Sequence, residues 1–178
     1  LQSGSDAVLR RMARRCKCSD FERLAAEART RIKDFNLTTD LIVGFPGETE
    51  REWQDTRAFV EHIGFGHLHI FAYSPRPGTR AASLPHPVSR DLIRARSEEL
   101  HALGKKMKRQ TLERYVGRRF PVLIEGRQND KESAWLGYTP NFLKVAVTSR
   151  SAASLANSIR MVQLQGVAEN GEMLLGLL

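Results

Sequence analysis

The sequence predicts an α/β region followed by a small all-β barrel, and three observations carry that prediction. Short β-rich runs at 37–43 and 67–73 alternate with capped helical patterns up to about residue 116. At Gly117 the pattern changes, and no later segment keeps a helical period. Five short runs then follow, at 120–125, 134–138, 142–147, 159–167 and 172–177, with Asn, Asp, Ser and Gly between them. Strand–helix–strand–helix spacing points to parallel βαβ units, and five short strands with turn chemistry point to a small barrel. The predicted boundary separates residues 1–116 from 117–178.

Taken in order, the first helix signal is Ser19 with Glu22, a capping-box pair, and Phe21, Leu24, Ala25, Ala28 and Ile32 recur behind it at helical spacing. The strand at 37–43 ends in Gly44-Phe45-Pro46-Gly47. Thr49 and Glu52 then form a second capping box, ahead of Trp53, Thr56, Val60 and Ile63 on one face, with Gly64 as the helix stop. After the strand at 67–73, residues 74–88 hold four of the seven prolines and read as an ordered crossing loop or a flap. Ser89 caps a long helix with Leu92, Leu100, Leu103 and Met107 as its buried stripe, running to about Tyr115. Residues 149–157 are Ala/Ser-rich and predict a loop.

The 178 residues, 41% of them apolar, suffice for a real core. No run approaches the roughly 18 apolar residues of a membrane span, and no secretory leader opens the chain, so no membrane partner and a cytoplasmic location are expected. Without an initiator Met, and opening on what reads as a strand end, the chain is expected to be a fragment of a longer protein. The net charge is +8, with a pI near 10.0. Residues 1–117 hold 21 basic and 15 acidic side chains, and 118–178 hold 7 and 5. That excess favours an anionic partner, with nucleic acid first. Cys16 and Cys18 are the only cysteines; one residue apart, they make a poor disulfide and at most half a metal site.

Candidate site residues cluster in five places. The Gly44-Phe45-Pro46-Gly47 turn lets backbone approach a ligand just past a strand's carboxyl end, or else serves only the strand-to-helix geometry. Gln2, Ser3 and Ser5 can bond hydroxyls or a carboxylate, or belong to an ordinary loop. Arg10, Arg11, Arg14, Arg15 and Lys17 put five positive charges in eight residues; if helical, Arg10 pairs with Arg14 and Arg11 with Arg15 on shared faces. Such a block holds phosphates or is a solvated face. Tyr73 and Ser74 close the second strand, with Arg76 and Arg80 on the loop beyond. In the barrel, Tyr138, Asn141, Phe142 and Lys144 bring aromatic, amide and cationic groups within seven residues, a set suited to unpaired RNA. Lys105, Lys106, Lys108 and Arg109 form another basic group. Glu48 reads as a helix-start carboxylate, Asp40 as an inward carboxylate needing a partner, and His67 with His69 as a same-face interior pair without a third metal ligand.

The motifs in order are Leu1-Gln2-Ser3-Gly4-Ser5-Asp6 with Met12 and Arg14-Arg15, Asp40 to Thr49, Phe71 to Thr79, and Gly137 to Val145. Together they resemble the second half of a radical S-adenosylmethionine methylthiotransferase, and the resemblance spans nearly the whole chain. It implies that residues 1–116 are the C-terminal part of a partial (β/α) barrel and that 117–178 are a TRAM domain, similar to an oligonucleotide-binding barrel. It implies S-adenosylmethionine as cofactor, touched by Gln2, Ser3, Ser5, Ile42, Gly44, Phe45, Pro46, Gly47, Tyr73 and Ser74, with Arg15 at the methionine carboxylate. RNA contacts fall to Arg10, Arg11, Arg14, Lys17, Arg76, Arg80, Tyr138, Asn141 and Lys144. The implied chemistry is radical methylthiolation of a tRNA adenosine. It needs two 4Fe-4S clusters, one of which cleaves the cofactor to a deoxyadenosyl radical. The family's Cys-x3-Cys-x2-Cys motif is absent here, so no metal ligand and no catalytic residue is assigned to this chain, which alone is expected to be inactive. The implied partners are the tRNA anticodon region and an electron donor, with the protein a monomer. Tyr138 to Lys144 and His67 to Phe71 are most similar to the branch that acts on threonylcarbamoyl-adenosine. A stand-alone RNA-binding module and the branch modifying a ribosomal protein are the alternatives.

Overall fold

The computed structural model describes residues 1–127, 134–149 and 154–178. The chain divides into two compact units, Leu1–Met107 and Lys108–Leu178.

In the first unit, β1 (Thr38–Val43) and β2 (His67–Ala72) pair in parallel, with Ile42 opposite Phe71 and Asp40 opposite His69. The pleat sends Thr39, Leu41 and Val43 to one face, where they join Trp53, Val60, Ile63, Phe65, Leu68, Leu100 and Met107 in the core. Asp40 and Ile42 therefore share the opposite face with His69 and Phe71. Asp40 is exposed there. His69 is exposed as well and stacks edge-on against His67 at 4.6 Å between ring centroids, so it is not a core residue of this unit.

The capping box of Thr49 and Glu52 forms as expected. The Thr49 N–H donates to Glu52 Oε2 at 2.9 Å, and the Glu52 N–H donates to Thr49 Oγ1 at 3.3 Å, opening α3 (Glu50–Ile63). Trp53, Thr56, Val60 and Ile63 are its buried face, and Gly64 ends it at φ 68°. The first box does not form. α2 (Cys18–Arg31) begins one residue before Ser19, because the Asp6 carboxylate takes the Cys18 N–H at 2.8 Å. Its buried face is Ala25, with Phe21 and Ala28 half-buried, while Leu24 and Ile32 are exposed. α1 (Asp6–Arg11) stops after six residues, and Ala13 turns through φ 57°. Arg14, Arg15 and Lys17 thus lie beyond its end, and the expected shared helical faces do not exist.

Residues 74–88 contain one 3₁₀ turn, Arg80–Ser83. Ser89 Oγ accepts the Leu92 N–H at 3.3 Å to open α4 (Arg90–Glu113). The packed stripe of this helix is Ile93, Arg96, Leu100, Leu103 and Met107, whereas Leu92 is partly exposed.

In the second unit, β3 (Arg119–Arg127), β4 (Trp135–Tyr138), β5 (Lys144–Thr148), β6 (Ser158–Val167) and β7 (Leu174–Leu177) close in the order β3-β4-β5-β7-β6. All neighbours are antiparallel except β5 and β7. Register shifts at Ile124/Gly126 and Leu164/Gly166 bend β3 and β6, which a closed barrel this small requires. Alternate residues fill the interior: Phe120, Val122 and Ile124, then Trp135, Val145, Val147, Val162, Leu164 and Leu174. Leu112 and Tyr115 complete this core, as do Leu143 and Leu155. Of the expected loop at 149–157, residues 150–153 lie outside the described residues.

Gly137 of β4 pairs with Ile124 of β3, and its missing side chain leaves room for the neighbouring strand. A β-carbon there would lie 2.3 Å from the Leu123 carbonyl oxygen and 2.7 Å from Val122 Cγ1. Gly137→Val is therefore expected to destabilise the barrel by about 2 kcal/mol or more, the usual scale of overpacking against backbone. Urea unfolding followed by Trp135 fluorescence checks this; an unchanged midpoint would refute it.

Candidate functional site: a cleft on the open face of the parallel strands

A cleft of about 620 Å³ opens on the face of β1 and β2 that turns away from the core. Its lining residues are Gln2, Arg14, Asp40, Ile42, Phe45, Phe71, Ala72, Tyr73, Ser74, Arg76, Thr79 and Ala81. This volume suits a nucleoside-sized ligand. The cleft lies at the carboxyl ends of parallel strands, the usual ligand position in such folds. Apolar surfaces from Ile42, Phe45 and Phe71 meet two guanidinium groups and one carboxylate. Phe45 and Tyr73 meet edge to face at 5.3 Å. The Tyr73 hydroxyl is buried and has no hydrogen-bond partner among the described residues.

Gly44 and Gly47 take φ 77° and 76°, a conformation that favours glycine. Their surroundings differ. A β-carbon on Gly44 would fall 2.2 Å from Ile93 Cγ1, so this glycine admits α4; at Gly47 the nearest atom is 3.6 Å away. The Gly47 N–H is taken by the His86 carbonyl at 2.8 Å.

Glu48 precedes the cap of α3 and is not a helix-start carboxylate. Its side chain is buried, and Oε2 accepts the Gly44 N–H at 3.0 Å and Arg96 Nη1 at 2.9 Å. Arg96 Nη2 reaches Glu50 Oε2 at 2.9 Å, and its guanidinium lies 5.7 Å from the Trp53 ring centre. Burial pushes the Glu48 carboxyl up, against the Gly44 N–H and Arg96, which pull it down. Arg96 escaped the sequence reading. Its signal is a charge on an apolar stripe, three residues after Ile93 and four before Leu100.

The predicted site residues separate on this geometry. Gln2, Ile42, Phe45, Tyr73 and Ser74 come together in the cleft, with Arg14 and Arg76 from the phosphate-binding candidates. Ser3 and Ser5 are buried in the wall. The Ser3 hydroxyl bonds Thr56 Oγ1 at 3.0 Å and accepts the Ser5 N–H at 3.1 Å. Pro46 and Gly47 belong to the turn behind Phe45. Arg15 is exposed and does not line the cleft. Arg11 forms a bidentate pair with Glu52, at 2.9 and 2.6 Å, and this bond holds the Glu52 carboxyl below its ordinary value. Arg10, Lys17 and Arg80 are exposed.

On the barrel, Tyr138 and Lys144 are register partners, and Leu123 and Ile159 continue the same outward row. Phe142 is 83% exposed at φ 61°, so it is not a core residue. Asn141 is committed internally: Nδ2 donates to the Tyr115 hydroxyl at 3.0 Å, and Oδ1 accepts from Thr139 at 2.6 Å.

The cysteines do not suit an iron–sulfur cluster. Among the described residues no group of three Cys, His, Asp or Glu could hold a metal. Burial, then the Asp6 carboxylate, pushes the Cys18 thiol up to about 12, the opposite of what a thiolate ligand needs.

A nucleoside-sized cleft beside parallel strands, followed in the chain by a closed five-stranded barrel, defines the class: an α/β unit with an open cleft, then an oligonucleotide-binding-like barrel. No protein-family model matches the chain. It is 39% identical over 143 residues to the tRNA-2-methylthio-N(6)-dimethylallyladenosine synthase of Tropheryma whipplei, covering 79% of this chain and 30% of that one. The enzyme of that name from Nitratidesulfovibrio vulgaris is 38% identical over 156 residues, 85% and 35% of the two chains. The threonylcarbamoyladenosine tRNA methylthiotransferase of Thermotoga maritima is 42% identical over 125 residues, 70% and 29%. The chain is thus a homologue of the tRNA methylthiotransferases and spans about a third of the length of these relatives. Both substrate branches match it at similar identity. No helix among the described residues is long and apolar enough to cross a membrane.

With its thiol at about 12 against an ordinary 9.0, Cys18 carries roughly a thousandfold less thiolate at pH 8 than a free cysteine. Iodoacetamide at pH 8 is expected to leave Cys18 unmodified when exposed Cys16 is alkylated. Asp6→Asn is expected to speed Cys18. Peptide mass spectrometry reads both, and equal rates at the two parent cysteines would refute the expectation.

Proposed function

We propose that this chain is the C-terminal part of a cytoplasmic, monomeric tRNA methylthiotransferase. Residues 1–116 contribute the end of its radical S-adenosylmethionine barrel, and 117–178 form a TRAM domain that holds tRNA. The observation that carries the reading is the buried, unpartnered Tyr73 hydroxyl in the wall of the cleft. A buried hydroxyl without a partner is costly, and a ligand hydroxyl, amine or ring nitrogen would satisfy it. Ile42, Phe45 and Phe71 offer apolar walls for an adenine. Gln2 offers an amide to ribose hydroxyls, and Arg14 or Arg76 a guanidinium to the methionine carboxylate. When bound, S-adenosylmethionine would supply the adenosyl group for the radical step, with both clusters and the electron donor outside these residues. The chain's own task is to bind, orient and exclude water.

The substrate we favour is threonylcarbamoyl-adenosine next to the anticodon, on the strength of the Tyr138 to Lys144 and His67 to Phe71 motifs. Expression of the full-length protein in a host lacking methylthiolated tRNA, followed by mass spectrometry of tRNA nucleosides, tests this. Methylthio-threonylcarbamoyladenosine is the expected product. Methylthio-isopentenyladenosine would assign the other tRNA branch, and a methylthiolated ribosomal protein with unmodified tRNA would overturn the proposal.

Two further outcomes are expected. Tyr73→Phe should leave unfolding stability within about 0.5 kcal/mol, because the hydroxyl makes no bond in the free protein, yet weaken S-adenosylhomocysteine binding about three- to tenfold. Calorimetry of both proteins checks it; equal affinities would remove Tyr73 from the site. For RNA, Arg11 is spent on Glu52, leaving Arg10, Arg14, Arg15 and Lys17 as the free charges of the block. Replacing these four by Gln should flatten the slope of log affinity against log salt for tRNA by roughly two to three units. An unchanged slope would make the block a solvated surface.

A further inference from the structure

The turn between β1 and α3 has little to hold it in place by itself. Two of its residues have positive φ, and one internal backbone bond, Glu48 N–H to the Phe45 carbonyl at 2.9 Å, spans it. Its shape is held by the Glu48 carboxylate within the turn and, from outside, by Arg96 and by the His86 carbonyl, which takes the Gly47 N–H at 2.8 Å. Glu48 Oε2 takes the Gly44 N–H on one side and Arg96 on the other, so one oxygen ties the end of β1 to α4. Arg96 Nη1 also faces the Glu48 carbonyl at 3.4 Å, and Nη2 anchors on Glu50 in the first turn of α3. Strand end, turn and helix start are therefore gathered on a single guanidinium that is itself 2% exposed. A planar fork is needed for this, because one ammonium cannot meet both carboxylates. Phe45, at the centre of the gathered segment, is the cleft wall that packs against Tyr73.

We infer that Arg96 is a positioning residue for ligand binding: it touches no ligand but sets the Gly44–Glu48 turn, and through it Phe45, in the geometry that receives the adenosyl group. The inference rests on the cofactor reading of the cleft proposed above. Core packing alone would explain a Leu or Met at this place on α4. It does not explain a buried guanidinium aimed at two oxygens of Glu48 and one of Glu50.

The test uses the full-length protein, its Arg96→Lys and Arg96→Met variants, and S-adenosylhomocysteine as probe. Two quantities are read: the dissociation constant by calorimetry, and hydrogen exchange of the Gly44 amide without ligand. Arg96→Met should weaken binding at least about tenfold, the scale of one lost charge-assisted hydrogen bond, and expose the Gly44 amide. Arg96→Lys keeps the charge, guards against a misfolded Met variant, and should give an intermediate loss in both quantities. Fast Gly44 exchange with parent-like affinity in Arg96→Lys would overturn the inference, as would parent-like values of both. Failure of the parent protein to bind the probe would instead remove the cofactor reading, with the Gly44 exchange still reporting whether Arg96 holds the turn.

Discussion

A carboxylate shut away from water is tolerable only with partners, and in the first unit the arrangement around the open face of β1 and β2 depends on one such group. Glu48 Oε2 receives a backbone N–H from the end of β1 and a guanidinium from α4. Pairs of this kind are seldom net stabilisers, since desolvation offsets much of the attraction. Their force lies in specificity: losing one partner strands the other, at about 3–5 kcal/mol. The pair therefore selects one turn geometry over neighbouring ones that would bury the same apolar area. The bidentate Arg11–Glu52 contact does the same one helical turn later, joining α1 to the start of α3. The cleft is shaped by these ionic ties behind it as much as by the side chains that line it.

The barrel is organised by a different physical term. Its interior is almost wholly apolar, and Gly137 and Gly176 occur where a β-carbon would strike a neighbouring strand or side chain. The exterior carries a row of partly exposed Ile159, Leu123, Tyr138 and Lys144, with Phe142 beyond it in a left-handed conformation uncommon for a bulky residue. Thr139 holds that loop through the Leu143 N–H and Asn141. A polar hairpin braced from within thus presents one aromatic ring to solvent.

Much of the architecture was legible in the sequence because it is written in local chemistry. All five barrel strands fall on the predicted runs, Thr49 and Ser89 open their helices through their hydroxyls, and Gly64 closes one through its left-handed backbone. What escaped was set by partners remote in sequence. Ser19 and Glu22 have the right spacing for a cap, yet Asp6, twelve residues earlier, fixes the start of α2. The basic block satisfies a helical pattern, but the chain turns at Ala13. Ser3 looked available to a ligand, and Thr56 claims it across 53 residues. Arg96 drew no reading from the sequence, because Glu48 and Glu50, which meet it, lie 48 and 46 residues away. In the cleft, Gln2, Ile42, Phe45, Tyr73 and Ser74 follow from the sequence motifs; Arg14 reads there as a phosphate contact and Phe71 has no role, because which face of a strand is open depends on what packs behind it.

The strand order of the barrel sets a schedule for its making. β7 is the last of the five in the chain, yet it lies between β5 and β6, and only through it does the circle close. Until Leu174–Leu177 have left the ribosome, β5 and β6 each present an unsatisfied edge, and the inner faces of Val145, Val147 and Leu164 lack their final neighbour. Synthesis proceeds at about 5–20 residues per second, and segments made earlier fold as they emerge. The first unit, complete by Met107, can thus be in place while the barrel is still an open sheet. Loss of β7 alone would leave two bare strand edges. Its consequence would be adhesion to other chains, a defect of solubility before it is a defect of binding.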